Sequence, residues 1–206
     1  QALHQKKTEL NSLGELMEAY DKTQLQIAAH SKNNRLIVKT HNACGTINGF
    51  EFPNETRTLA VVYLIRDPRD VLISWAAHMD KTLEETERLM FDVNFCIAKE
   101  GQPLHREFVS SWENHVIGWQ NFSVRPLVIR YEDMVSQTRT SITKICNHLQ
   151  LDVSSNVDNV LAKTSFEALK RQEFSGGFAE QSGREMFFRS GKVGSWKSYD
   201  YDFSKI

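Results

Sequence analysis

An α/β fold with a central parallel β-sheet flanked by helices is what the sequence predicts, and three short runs carry the prediction. Residues 59–65 (LAVVYLI), 126–131 (PLVIRY) and 35–40 (RLIVKT) are apolar and β-branched, the composition of strands covered on both faces. The first two are each followed by a segment of helical period. Strands that alternate with helices connect by crossovers, which places them parallel in one sheet.

The elements follow in order. Leu10, Leu13, Leu16, Met17 and Tyr20 recur at helical spacing within residues 8–20, so an amphipathic helix is expected there, with a further turn or two at 25–29. The strand at 35–40 ends on polar residues, and residues 41–56 (HNACGTINGFEFPNET) carry the glycine, proline and asparagine content of a loop. After the strand at 59–65, helical patterns run to about Ala98 and again from Glu107 to Phe122. Trp112 and Trp119, seven apart, are expected on one buried face. Residues 136–149 have a helical period through Ile142, Ile145, Cys146 and Leu149. Residues 172–195 contain five glycines and little periodicity, which predicts a long surface loop able to close over a ligand.

A chain of 206 residues with 40% hydrophobic and 25% charged residues fits one ordinary domain, residues 1–206. The net charge of −1 argues against nucleic acid as a partner, since that binding draws on a surplus of basic residues, and any anion site must be local. Cys44, Cys96 and Cys146 lie far apart without CxxC spacing, so neither a zinc site nor a disulfide framework is indicated, and a reducing, cytoplasmic compartment is expected. No apolar run approaches the roughly 18 residues of a membrane span, and no metal-ligand cluster stands out. The first residue is Gln1 rather than Met, which leads to the expectation that the chain is an amino-terminally incomplete version of its domain.

At residues 63–75 (YLIRDPRDVLISW) the apolar strand stops at Arg66 and a capped helix begins. Asp67 can cap it, Pro68 suits its first position, and Asp70 favours its positive end. The carboxyl edge of a parallel sheet is where ligands bind, and a helix amino terminus favours anions. Arg66 can grip a phosphate there with two donors, and Ser74, on the same helix side as Asp70, can join it. The competing reading pairs Arg66 with Asp67 or Asp70, with Ser74 merely packed; this segment alone leaves both open.

Residues 66–75 (RDPRDVLISW) closely resemble the 3′-phosphate-binding motif of sulfotransferases that use 3′-phosphoadenosine 5′-phosphosulfate (PAPS). Three other segments resemble that family in matching order: RLIVKTH at 35–41, VIRYEDM at 128–134, and FFRSGKVGSWKSY at 187–199 with its Arg-x-Gly-x-x-Gly-x-Trp-Lys pattern. The resemblance implies a P-loop-NTPase-like sulfotransferase fold and transfer of a sulfuryl group from PAPS, leaving adenosine 3′,5′-bisphosphate (PAP). It implies His41 as general base, Lys39 at the reacting end, and Arg66 with Ser74 on the 3′-phosphate. Tyr131, Thr164 and Phe166 match positions around the adenine, and Arg189, Ser190 and Gly191 match the segment that closes on the 3′-phosphate. Trp196 and Lys197 match the end of that segment.

Two departures stand beside these matches. Nothing in residues 1–38 resembles the family's 5′-phosphosulfate loop, which belongs upstream of the Lys-Thr-His triplet; Ser190 and Ser195 replace a usual lysine and aspartate. The first departure keeps open a PAP- or PAPS-binding module without transfer chemistry, used for regulation or assembly. A P-loop kinase is weakly supported, because no Gly-x-x-x-x-Gly-Lys-Ser/Thr is present. Sulfuryl transfer places the work on in-line positioning and charge stabilisation, and a histidine with an ordinary value of about 6.5 suits removal of the acceptor's proton. His78, His105, His115 and His148 read as surface or packing residues, while Tyr131 and Phe166 on their own would be core aromatics. The acceptor is expected to be the hydroxyl or amine of a small molecule, or a hydroxyl of a glycan or peptide, with no membrane partner. Phe50, Phe52, Phe174 and Phe178 lie in the loops that would shape its pocket.

Overall fold

The computed structural model describes residues 13–30, 36–47, 50–99, 102–152, 156–178 and 186–206. In chain order the elements open with α1 (Leu13–His30), β1 (Gly45–Ile47), β2 (Phe50–Phe52), β3 (Val62–Ile65), α2 (Pro68–Met79) and α3 (Leu83–Phe91). The chain continues with β4 (Cys96–Lys99), β5 (Gln102–Phe108), α4 (Trp112–Gln120), β6 (Leu127–Arg130), α5 (Tyr131–Ser136), α6 (Thr138–His148), α7 (Val157–Lys163) and α8 (Phe166–Gly176). A 3₁₀ turn at Ser195–Ser198 comes last. These elements form two compact units, Gln1–Leu59 with Asp92–Val124, and Ala60–Phe91 with Arg125–Ile206.

The second unit holds the parallel pairing that the sequence predicts. β3 and β6 run side by side with Val62 opposite Leu127 and Ile65 opposite Arg130, and the helices α2 and α3 follow β3 in the chain. Leu72, Ile73 and Ala76 on one face of α2 are buried, with Tyr63, Met90, Ile129 and Cys146. Their burial supplies the apolar stabilisation of this unit. α3 starts with a reciprocal capping box: Glu85 N–H donates to Thr82 Oγ1 at 3.1 Å and Thr82 N–H donates to Glu85 Oε2 at 2.9 Å. His148, expected to be an ordinary surface or packing histidine, sits at the end of α6 and donates from Nε2 to Val61 O at 2.9 Å, tying α6 to the chain just before β3.

The first unit is antiparallel. β1 pairs with β2, and β4 pairs with β5 through Cys96 opposite Phe108. The β4–β5 hairpin lies where helical patterns are expected up to Ala98 and from Glu107. The helix begins only at Trp112, because Ser110 has φ 62° and Ser111 caps α4, accepting from Asn114 N–H at 3.3 Å. Trp119 is buried and Trp112 half-buried, in keeping with the face expected of them. β1 and β2 also convert part of the expected loop at 41–56 into a hairpin.

Two further expectations differ. No strand is formed at residues 36–40: Ile37 and Val38 are 73% and 52% exposed. A strand needs a ladder partner, and none of the described pairings includes these residues, so apolar β-branched composition alone leaves them irregular. In the expected loop at 172–195, α8 instead continues to Gly176 and stops where Gly177 adopts φ 74°. Residues 8–12, Arg35 and 179–185, parts of the expected helix, strand and loop, lie outside the described residues. Among those described, no helix is long and apolar enough to cross a membrane.

Gly118 in α4 packs against the backbone of the segment after His41: a Cβ at this position would stand 2.4 Å from Cys44 O. Gly118→Ala is therefore expected to lower stability by roughly 1–3 kcal/mol, the usual cost of overpacking, read as a lower urea midpoint with an unchanged slope.

Candidate functional site

In the second unit the strand-to-helix junction forms as its sequence cues predict. Asp67 Oδ1 accepts from Arg69 N–H at 3.0 Å and caps α2, with Pro68 first in the helix. Arg69 also grips that carboxylate from the side, Nε to Oδ1 at 2.9 Å and Nη2 to Oδ2 at 2.7 Å. These side-chain bonds hold the Asp67 carboxyl below the usual carboxylate range in spite of its partial burial. Asp67 N–H in turn donates to Glu132 Oε1 at 2.9 Å, so the start of α5 is fastened to the end of β3.

Asp70 is 1% exposed and serves a different partner. Its Oδ2 accepts from Gly194 N–H at 2.7 Å and its Oδ1 from Trp196 N–H at 3.1 Å. The glycine-containing segment at 189–197 is thereby clamped onto the first turn of α2. Arg69 strengthens the clamp, its guanidinium carbon lying 3.8 Å from the Trp196 ring centroid. Gly194 has φ 74° at this point, a conformation that glycine adopts without the strain of a Cβ.

Arg66 occupies the space between these parts. Its Nη2 donates to Lys192 O at 3.0 Å, its guanidinium carbon lies 4.4 Å from the Tyr131 ring centroid, and Nη2 is 3.7 Å from Asp70 Oδ2. The side chain is 21% exposed, and its buried Nε makes no hydrogen bond among the described residues. Arg66 thus pairs electrostatically with Asp70, as the competing reading holds, yet without a hydrogen bond to it: both carboxylate oxygens already accept from backbone. A guanidinium with a buried, unbonded Nε can still bind an oxyanion.

The other site residues are placed unevenly. Gly191, with φ 61°, rests on the ring of Phe166; a Cβ there would meet Phe166 Cδ2 at 2.7 Å. Arg66, Tyr131, Phe166 and the 191–192 backbone are therefore linked by direct contacts. Arg189 O accepts from Lys170 Nζ at 3.4 Å, and Ser190 is exposed. Ser74 is half-buried two turns along α2, and Thr164 ends α7 with its hydroxyl donating to Val160 O at 2.7 Å. Among the described residues, no hydrogen bond or ring contact joins Ser74 or Thr164 to Arg66. Sequence reading misses Asp70 as the clamp, and also Glu173, which is buried and accepts from the N–H groups of Phe187 at 2.5 Å and Phe188 at 2.9 Å. Asp70 is not signalled by spacing, since Asp70 and Gly194 are 124 positions apart, and Glu173 bonds across 14 positions of chain without a helical or strand period.

In the first unit the segment carrying Lys39 and His41 is irregular but pinned. Asn42 is buried: its Nδ2 donates to Thr40 Oγ1 at 3.1 Å, its Oδ1 accepts from Phe108 N–H at 2.7 Å, and its carbonyl accepts from Trp119 Nε1 at 3.1 Å. Ala43 N–H adds a bond to Phe108 O at 2.6 Å. His41 is half-exposed on this support, with Nδ1 2.9 Å from Glu107 Oε2. His115 donates from Nε2 to His41 O at 3.3 Å, and burial pushes its pKa down, so it stands neutral beside His41. Lys39 is exposed, and its charge helps His41 to hold the Glu107 carboxyl below its usual range. Among the described residues no group of three His, Cys, Asp or Glu could hold a metal ion.

Comparison with known proteins bears on both units. A family profile described as sulfotransferase domain matches residues 2–200. A 3-alpha-hydroxysteroid sulfotransferase of Cavia porcellus is 31% identical over 148 residues, covering 68% of this chain and 50% of its own length. An amine sulfotransferase of Oryctolagus cuniculus is 31% identical over 152 residues, covering 68% of this chain and 48% of its own. The chain therefore spans about half the length of the curated relatives it matches. Among solved structures, retinol dehydratase in complex with androsterone and the inactive cofactor PAP superposes with TM-score 0.60 at 24% identity, over 86% of this chain and 51% of that one. A mouse sulfotransferase complexed with PAP gives 0.52 at 22% identity, over 70% and 54%. These two structures share the fold with this chain.

Two outcomes follow from the junction. Asp70→Ala leaves the N–H groups of Gly194 and Trp196 without their acceptor, and the expected loss is roughly 1–3 kcal/mol per buried unsatisfied group, with faster proteolytic cleavage near residue 194. Asp67 has a lowered folded pKa, so its contribution is fully present above its unfolded value, about pH 4, and disappears as pH falls through the folded value. The stability gap between the parent and Asp67→Asn is expected to be constant near neutrality and to close in acid, measured by urea titration across that range.

Proposed function

Because the chain belongs to the sulfotransferase domain family, we propose that it moves a sulfuryl group from PAPS to the hydroxyl or amine of an acceptor, releasing PAP. The observation that carries this reading is Arg66: a guanidinium at the carboxyl end of a parallel strand, beside a capped helix amino terminus, with a buried Nε that makes no hydrogen bond. That geometry suits the 3′-phosphate of the nucleotide, with Ser74 adding a hydroxyl and Arg189, Ser190 and Gly191 closing over it. Tyr131, Thr164 and Phe166 would surround the adenine, and the contact of Phe166 with Gly191 supports placing base and phosphate near each other.

In the transfer step the acceptor oxygen or nitrogen attacks sulfur in line with the bridging oxygen of PAPS. The new bond forms as the sulfur–bridging oxygen bond breaks, and its electron pair leaves with PAP. His41 takes the acceptor's proton, and Lys39 offers positive charge at the reacting end. A small acceptor is supported by the names of the relatives, a hydroxysteroid sulfotransferase and an amine sulfotransferase. A glycan or peptide hydroxyl is the broader alternative. A cytosolic location goes with the relatives of Arabidopsis thaliana named cytosolic sulfotransferases. A module that binds PAP or PAPS without transfer would share the Arg66 site, and turnover by the full-length protein separates the two readings.

Calorimetric titration with PAP, with 5′-AMP as control, tests the phosphate site. PAP is expected to bind at least about tenfold more tightly than 5′-AMP, and Arg66→Ala is expected to remove that preference, at a cost of about 1.5–3 kcal/mol for a lost charged hydrogen bond. Equal binding of the two nucleotides by the folded parent would sink the proposal.

A further inference from the structure

Glu107, near the end of β5, is absent from the roles that the sequence resemblance assigns, and its carboxylate stands 2.9 Å from Nδ1 of His41. The hydrogen bond from the His41 side chain, the largest influence, outweighs partial burial and keeps this carboxyl below its usual range. An ionised carboxylate only accepts hydrogen bonds, so the proton between the two groups sits on Nδ1. The lone pair of the neutral ring then lies on Nε2, at the far side from Glu107.

The surroundings favour the same state. His115, whose pKa burial pushes down, is neutral and bonds to the His41 carbonyl. Tyr20 of α1 is raised first by burial and then by the charge of Glu107, which keeps its phenol protonated and leaves Glu107 as the anion of the group. Lys39, two residues before His41, is exposed. Asn42 fixes the backbone next to His41 to β5 and α4, so histidine and carboxylate are supported from the same strand end.

Building on the reading of His41 as general base, we infer that Glu107 is a positioning residue for sulfuryl transfer, holding His41 as its Nδ1–H tautomer so that Nε2 takes the acceptor's proton. The balance of the step is complete without further groups. The acceptor proton passes to Nε2, the new bond to sulfur forms, the bridging bond breaks, and PAP carries away the electron pair. The imidazolium so formed is stabilised by the Glu107 carboxylate, which itself stays ionised.

Nitrogen-15 NMR of the His41 ring in the full-length protein reads the tautomer directly. The parent is expected to carry its proton on Nδ1. Glu107→Leu is expected to lose that bias, and Glu107→Gln, whose amide oxygen still accepts, to retain part of it. Thermal melts verify that each variant is folded. With PAPS and androsterone as the probe acceptor, Glu107→Leu should lower kcat by about tenfold or more while KM for PAPS stays within about twofold, with partial rescue in Glu107→Gln. A parent ring protonated on Nε2 alone, or an unchanged tautomer in folded Glu107→Leu, overturns the inference. The expected tautomers together with undiminished turnover by His41→Ala would overturn the general-base reading instead, and leave the tautomer control by Glu107 standing.

Discussion

The second unit is organised around one buried carboxylate. Asp70 sits in the first turn of α2, wholly covered, and accepts from Gly194 and Trp196 N–H groups. A buried charge is costly unless it is bonded on all sides, and here each oxygen has a backbone donor, with the positive end of α2 beneath it. Much else depends on this arrangement. The bonds bring residues 191–196 against the strand-to-helix junction, which places Lys192 O where Arg66 can reach it and Trp196 where Arg69 can stack on it. In the same segment Gly191 lies against the Phe166 ring.

The first unit solves a similar problem with a neutral group. Residues 36–40 lack a strand ladder, yet the chain becomes fixed just beyond them, because Asn42 uses its carbonyl, its amide donor and its amide acceptor on three different partners. A buried amide with each end satisfied specifies a single position without the desolvation cost of a charge. His41 benefits from this: its ring is half-exposed while its backbone is anchored on both β5 and α4.

Legibility in the sequence followed the range of each interaction. Asp67, Pro68 and the apolar run before them are local cues, and the strand, the cap and the helix all formed where they pointed. The parallel partner at 127–130 was readable for the same reason, being continuous and β-branched. Residues 36–40 have the same composition and formed no strand, since pairing is a tertiary event that composition does not encode. Only the outer ends of the β4–β5 hairpin, up to Ala98 and from Glu107, fall in expected helical patterns, because charged and apolar residues there do not alternate cleanly, and the break at Ser110 depends on a positive φ that serine rarely adopts. The clamp by Asp70 and the pair of His41 with Glu107 span 124 and 66 positions, and no local pattern announces either.

Long-range ties of this kind also explain how a chain with a net charge of −1 can present a cationic site. Asp67 and Asp70 flank Arg66, and if both carboxylates faced it they would cancel its charge. Each is instead occupied by other donors: Asp67 by the Arg69 guanidinium, and Asp70 by two backbone N–H groups. Asp70 Oδ2 remains 3.7 Å from Arg66 Nη2, close enough to orient the guanidinium and too far for a good hydrogen bond. The phosphate proposed to bind here would therefore displace no strong ion pair of Arg66, and the amino terminus of α2 would also favour it. The positive character of Arg66 is preserved by how the neighbouring carboxylates are satisfied, which is a property of the folded junction and leaves no trace in the charge count.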